Sequence, residues 1–155
     1  AVTGVQTCAL PIYAPNDGNP IGYGWGYLAF ETRDDQIPKR PTLSEVASTA
    51  SERVFKASAF ESPSKHKPAG AEYRVGRVFT QGMPGWTTND VESYELEDVW
   101  RTAATDRSTA LTTGQAAIPQ KIFEQPGRYR VRVRHQDQTG RWSHWSAPVE
   151  ISVAR

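Results

Sequence analysis

Hydrophobic and polar residues alternate most regularly late in the chain, where Tyr129, Val131 and Val133 share one parity and Arg130, Arg132 and Arg134 the other. This is the period of a strand with one buried face and one wet face. The polar turn Gln136-Asp137-Gln138-Thr139-Gly140 follows, and beyond Pro148 the residues Val149, Ile151 and Val153 alternate again. Together the two stretches predict an antiparallel hairpin. Trp142 and Trp145 stand beside its arginine face, and indole rings accept guanidinium planes while the charged edges stay in water. The short hydroxyls of Ser143 and Ser146 suit bonds to neighbouring backbone. The expected arrangement is a structural ladder in which Arg130, Arg132 and Arg134 interleave with Trp142 and Trp145.

Upstream, Val54 to Phe60 predicts a strand and Glu61 to Gly70, with His66, a loop. Ala71 to Phe79 starts as a strand with Tyr73 and Val75 inward; the apolar parity then moves to Val78 across Gly76, which predicts a bulge. Gln81 to Asn89 is a loop carrying Trp86, and Tyr94 to Trp100 is the next strand, its parity broken by Asp98. Arg101 to Thr113 has no clear period, Leu111 to Pro119 admits a short strand, and Leu43 to Ser51 admits a weak helical reading. Strands with frequent turn signals, and no amphipathic helix longer than two turns, predict an all-β antiparallel sandwich. Such a sandwich takes roughly 100 residues, which the interval from Ile37 to Val153 supplies.

Trp142-Ser143-His144-Trp145-Ser146 resembles the WSxWS motif that ends the membrane-proximal fibronectin type III domain of class I cytokine receptors, and Arg130, Arg132 and Arg134 match the arginine row it packs against. Phe123-Glu-Gln-Pro126-Gly127-Arg-Tyr129 is similar to the corner between strands E and F of such domains, with Tyr129 as the corner tyrosine. The stretch from Tyr129 to Pro148 is more similar still to fibronectin-like modules that end large secreted bacterial proteins with lamin-tail or CotH-kinase-like domains. VFKASAFESP, AEYRVGRVF and YELEDVW follow that pattern loosely. The resemblance implies an immunoglobulin-like, fibronectin type III-like sandwich and a secreted or cell-surface location. A cytokine-type ligand is not implied, because a shared hairpin architecture does not carry a function.

Residues 2 to 12, VTGVQTCALPI, resemble a translated sequencing adaptor and residues 1 to 12 are set aside as non-native. Without the lone Cys8 the chain offers no disulfide, zinc site or thiol nucleophile. The sequence begins without methionine, so the native protein is expected to extend further, with any export signal in that part. Residues 13 to 36 read as linker or the tail of a preceding domain, with a charged, proline-bounded joint at Arg33 to Pro41 and the sandwich occupying residues 37 to 155. The irregular extension contains Tyr23, Trp25 and Tyr27, which fall on one face if the segment is extended.

Composition adds two exclusions. A net charge of +1 gives no global field for nucleic acid, and no apolar run approaches the ~20 residues of a membrane span. Catalysis finds no support either: His66, His135 and His144 accompany no nucleophile elbow. Adjacent residues on an extended chain face opposite ways, so His144 reads as an exposed spacer, not the partner of Ser143. The carboxylates Asp34, Asp35, Glu92, Glu95, Glu97, Asp98 and Asp106 read as solvated strand charges, and Asp34, Asp35 and Asp137 lack the spacing of a calcium loop. Gly22 to Gly26 lacks the ending of a phosphate loop. No catalytic residue, metal or cofactor is expected.

Two features carry binding chemistry. Arg128, Arg130, Arg132, Arg134 and Arg141 form a basic stripe able to fork onto sulfated or uronic glycans, unless the ladder already engages it. Tyr23, Trp25 and Tyr27, with Trp86, offer flat faces for stacking on sugar rings, unless they belong to the core of a preceding domain. The expectation is a non-catalytic spacer or adhesion module of a large exported protein, whose partners are neighbouring domains of the same polypeptide and, at most, an extracellular glycan or protein. The alternatives are a carbohydrate-binding accessory module of a polysaccharide-active enzyme, or the C-terminal fragment of a CotH-kinase-like protein.

Overall fold

A computed structural model describes residues 35–78, 83 and 95–154, without the side chains of 96 and 97, and the backbone of the strands Val5–Tyr13 (β1) and Tyr23–Glu31 (β2). Seven further strands follow: β3 (Leu43–Ser48), β4 (Glu52–Ala57), β5 (Pro68–Val78), β6 (Glu95–Arg101), β7 (Gln115–Pro119), β8 (Gly127–Asp137) and β9 (Val149–Val153). They form two antiparallel sheets, β3-β4-β7 and β6-β5-β8-β9. The body is an all-β sandwich. Among the described residues no helix is long and apolar enough to cross a membrane.

Period-two burial builds the core from both sheets. Phe55 and Ala57 of β4 and Ala116 and Ile118 of β7 face Ala71, Tyr73 and Val75 of β5, Tyr129, Val131 and Val133 of β8, and Ile151 of β9. Each fully buried Val, Ile or Phe contributes roughly 1.5–3 kcal/mol of transfer free energy. The parity of β8 runs two residues beyond the apolar ones, so that His135 and Asp137 are also buried.

Several elements differ from the sequence expectation. Leu43–Ser48 is the edge strand β3, with a register shift between Glu45 and Ala47, and is not helical: cross-strand pairing with β4 outweighs its weak helical period. Arg107–Thr113 is a helix, α1, preceded by a 3-10 turn at Ala104–Asp106. Its serine and threonines are poor helix formers, and Thr112 and Thr113 donate hydroxyl bonds back to the carbonyls of Ser108 and Thr109. So short a helix is marginal alone; packing of buried Ala110 holds it against the core. Gly114 ends α1 at φ 64, a left-handed conformation that favours glycine. Its carbonyl accepts from the Ala57 amide and from the Tyr73 hydroxyl, each at 2.9 Å. Burial pushes the Tyr73 phenol up to about 12.

The bulge expected near Gly76 resides in the partner strand. β5 pairs with β8 in continuous register from Gly70 to Arg77, whereas its pairing with β6 slips between Val75 and Gly76 and again between Gly76 and Val78. Extra residues in β6 break the parity at Asp98. The N-terminal extension, expected to be irregular, instead contains a hairpin in which β1 and β2 pair in continuous register from Val5↔Glu31 to Tyr13↔Tyr23. Residues 5–12 thus lie in a regular strand whatever their origin, since a free strand edge accepts any extended backbone. Tyr23, Trp25 and Tyr27 alternate along β2, and Trp86 lies outside the described residues.

Candidate functional site

The outer face of the four-stranded sheet carries charge and rings. Across β5 and β8 the register sets Glu72 opposite Arg134, Arg74 opposite Arg132 and Gly76 opposite Arg130. A guanidinium stack rises from this grid. Arg107 lies 5.2 Å from the Trp142 ring, Arg134 lies 4.2 Å from Trp142 and 4.5 Å from Trp145, and Arg74 lies 4.6 Å from Trp145. The order is cation, ring, cation, ring, cation.

The cations come from α1, β8 and β5, which differs from the three alternating arginines expected. Only Arg134 of that row sits between the rings. Arg132 turns to Glu95, its Nε at 2.7 Å and Nη2 at 2.6 Å from Oε1, and donates Nη1 to the Ser146 carbonyl at 3.0 Å. Arg130 bonds Glu150 through Nε at 2.9 Å. The reason is register: β9 and β6 set carboxylates beside these two positions, and a charge-assisted bond to a carboxylate is stronger than an exposed cation–ring contact.

Glu72 anchors the stack. Its side chain has 0% exposure although it projects on the outer face, where Arg134, Arg101 and Arg107 converge on it. Oε2 accepts Nε and Nη2 of Arg134 at 3.0 and 2.8 Å, and Oε1 accepts Arg101 at 3.0 Å and Arg107 at 3.3 Å. Arg101 also binds Asp98. Glu95 is the second anchor: Oε2 accepts Arg74 at 2.8 Å while Oε1 holds Arg132. Its reach depends on Gly76, where a Cβ would stand 3.1 Å from Oε2. Glu95 and Asp98, expected to be solvated strand charges, are only 12% and 20% exposed: Arg74 of β5 pairs with both, and Arg132 of β8 reaches Glu95 from the strand beyond.

The segment after the turn is held by its serines. Ser143 donates its amide to the His135 carbonyl at 2.8 Å while its Oγ accepts the His135 amide at 2.9 Å. Ser146 repeats this with Val133, at 2.8 and 3.1 Å. Each serine thereby satisfies both backbone groups of one β8 residue. Contacts recur every third residue along Trp142 to Ser146, the period of an extended three-fold helix and not of a strand. That spacing is why both serines face β8 while both tryptophans face the cations.

Tyr129 donates its hydroxyl to the Gln125 carbonyl at 2.7 Å and packs edge-on against Phe123 at 5.3 Å. Tyr129→Phe is expected to lose about 1 kcal/mol, the net worth of one such bond, measurable by urea denaturation with an unchanged m-value. Trp142→Ala should cost about 2 kcal/mol, from two cation–ring contacts and the lost packing of a half-buried indole. An unaltered melting curve for that variant would reject the stack as a stabiliser.

The remaining candidates are placed elsewhere. Arg128 pairs with Glu150 at 2.9 Å, and these bonds with Arg128 and Arg130 hold the Glu150 carboxyl below its usual range. Arg141 leaves the stripe and donates to the Gln36 carbonyl at 3.1 Å. His144 is exposed. His135 is inside the sandwich, tilted against Phe60 at 5.8 Å, and desolvation lowers it to about 4. Burial works to raise the Asp137 carboxyl, but hydrogen bonds from Thr139, His66 and the Arg141 amide outweigh it and hold the group below its ordinary value. Separately, an open cleft of about 420 Å³ is lined by Trp100, Thr102, Asp106, Thr109, Thr113 and Gln115 among others.

Sequence reasoning missed Glu72, Arg74, Arg101 and Arg107. The available signal was Glu72-Tyr73-Arg74, where charges flank a core tyrosine on a strand; which strand lies beside it was not readable. No protein-family model matches the chain, and no curated protein matches it at a significant level.

Proposed function

We propose that the chain contains a non-catalytic, fibronectin type III-like spacer or adhesion module of a large exported multidomain protein. The observation that carries this reading is the internal satisfaction of its most distinctive face. Arg128, Arg130, Arg132 and Arg134 bond carboxylates of the same sheet, and the two indoles are occupied by Arg74, Arg107 and Arg134. A surface so committed stiffens a sheet instead of presenting ligand-binding groups. The WSxWS resemblance points the same way. Its role is mechanical: β8 is locked on one side to β5 and on the other to β9 and the serine segment.

A tandem array of the domain pulled in a single-molecule force instrument should show one sharp unfolding event per copy, with lower peak force for Trp142→Ala. Extension without force peaks would overturn the spacer reading. A second reading, a carbohydrate-binding accessory module, is favoured by the cleft beside Trp100. Its volume falls in the range of small-ligand sites, and its hydroxyl, amide and carboxylate groups suit neutral sugars. Sub-millimolar binding of a neutral oligosaccharide, abolished in Trp100→Ala, would establish that reading over the first.

A further inference from the structure

The end of the sandwich at which residue 35 enters is gripped by two loops. The Asp35 carbonyl accepts the Ser64 hydroxyl at 2.7 Å, and the Gln36 carbonyl accepts Arg141 Nη1 at 3.1 Å. Ile37, Pro38 and Pro41 are buried. Lys39 donates its amide to the Glu61 carbonyl at 2.9 Å and its Nζ to the Glu61 carboxylate at 2.7 Å.

The loops are themselves pinned together. His66 Nδ1 meets Asp137 Oδ2 at 3.2 Å, and the Gln138 amide donates to the Lys67 carbonyl at 2.9 Å. Asp137 is fully enclosed, and its Oδ1 accepts the Thr139 amide and hydroxyl and the Arg141 amide. Lys65 is held at φ 58, a left-handed conformation that strains a residue with a Cβ. That conformation persists because Ser62 accepts the Lys65 amide on its carbonyl and the His66 amide on its hydroxyl.

Linkers between independently moving domains are exposed, and few contacts cross them. Within residues 35 to 41, Ile37, Pro38 and Pro41 are buried, and residues 35, 36 and 39 are each bonded to a loop. We propose that this end is a rigid mount: the loops at 61–67 and 137–141 clamp residues 35 to 39, so that the chain enters the sandwich at residue 35 in one fixed direction. The inference rests on the spacer reading and deepens it, because a stiff spacer needs a stiff joint at its entry. Ser64 and Arg141 are its positioning residues, and the pair His66 and Asp137 keeps the two loops in place.

The test uses the full chain with Cys8→Ser and spin labels at Asp35→Cys and Lys121→Cys. Pulsed electron–electron resonance should give one narrow distance distribution, broadened at least twofold by Ser64→Ala with Arg141→Ala at a nearly unchanged Tm. Trypsin cleavage after Lys39 should accelerate severalfold in the same double variant. A distribution already broad in the parent overturns the mount, and a narrow one in both proteins overturns the role of these two residues. If the double variant proves unfolded, each single substitution is read in the same way. Discovery of a glycan ligand would overturn the spacer reading while leaving the distances narrow, so the two ideas fail separately.

Discussion

Replacing Glu72 with alanine is expected to destabilise the sandwich by about 3 kcal/mol, the lower end of what removing one partner of a buried ion pair costs. The lower end applies because the three guanidinium groups around it, from Arg134, Arg101 and Arg107, retain 24%, 43% and 30% exposure and regain part of their hydration. The carboxylate itself has none. Without it, the three cations lose their shared acceptor, Arg101 keeping its carboxylate bond to Asp98, and Arg134 loses the fork that orients it between the two indoles. A fall in melting temperature on the order of 10 °C should follow. Glu72→Gln keeps the shape and one acceptor oxygen but not the charge, so it should fall between parent and alanine variant. If Glu72→Ala melts within a degree or two of the parent, the carboxylate is not the anchor of the stack. The double variant Glu72→Ala with Arg134→Ala should recover part of the loss, since contacting partners couple non-additively.

The second large effect is a loss of stability on acidification. His135 is held near 4 when folded, against 6.5 for an unperturbed imidazole. Between those values the unfolded chain binds the proton and the folded chain does not, so stability rises with pH across that window. The contribution is complete above pH 6.5 and is lost as pH falls toward 4. Two and a half units correspond to roughly 3 kcal/mol. Chemical denaturation at half-unit steps from pH 7.5 to 4 should show this decline in the parent and a much flatter profile in His135→Gln. Identical slopes would mean that His135 is solvated when folded. Below pH 4 the parent should lose further stability, because Asp137 and Glu150, whose carboxyls are held below their ordinary range, must then be protonated.

Both effects arise where local reading of the chain stopped short. The alternation of Tyr129, Val131 and Val133 identified β8, its inward face and the serine and tryptophan segment beside it. The same alternation said nothing of His135, which continues the inward parity in a polar residue. Glu95 and Asp98 looked like ordinary strand charges because charge on a strand is usually hydrated. Here β5 brings Arg74 onto both, and β8, the next strand of the sheet, brings Arg132 onto Glu95. α1 escaped notice because it is short and rich in threonine, and its stability comes from the core beneath it.

What the amino-acid sequence determined alone is whatever depends on neighbours a few residues apart: period-two burial, the turn at 136–140, the corner at Tyr129 and the three-residue spacing of the serines and tryptophans. What only the tertiary structure decided is which cation meets which ring and which acid. Glu72 and Arg134 stand 62 positions apart, and Arg107 reaches Trp142 from a helix between them. Strand order and register bring such groups together, and these are set by burial summed over both sheets, a quantity that no local pattern contains.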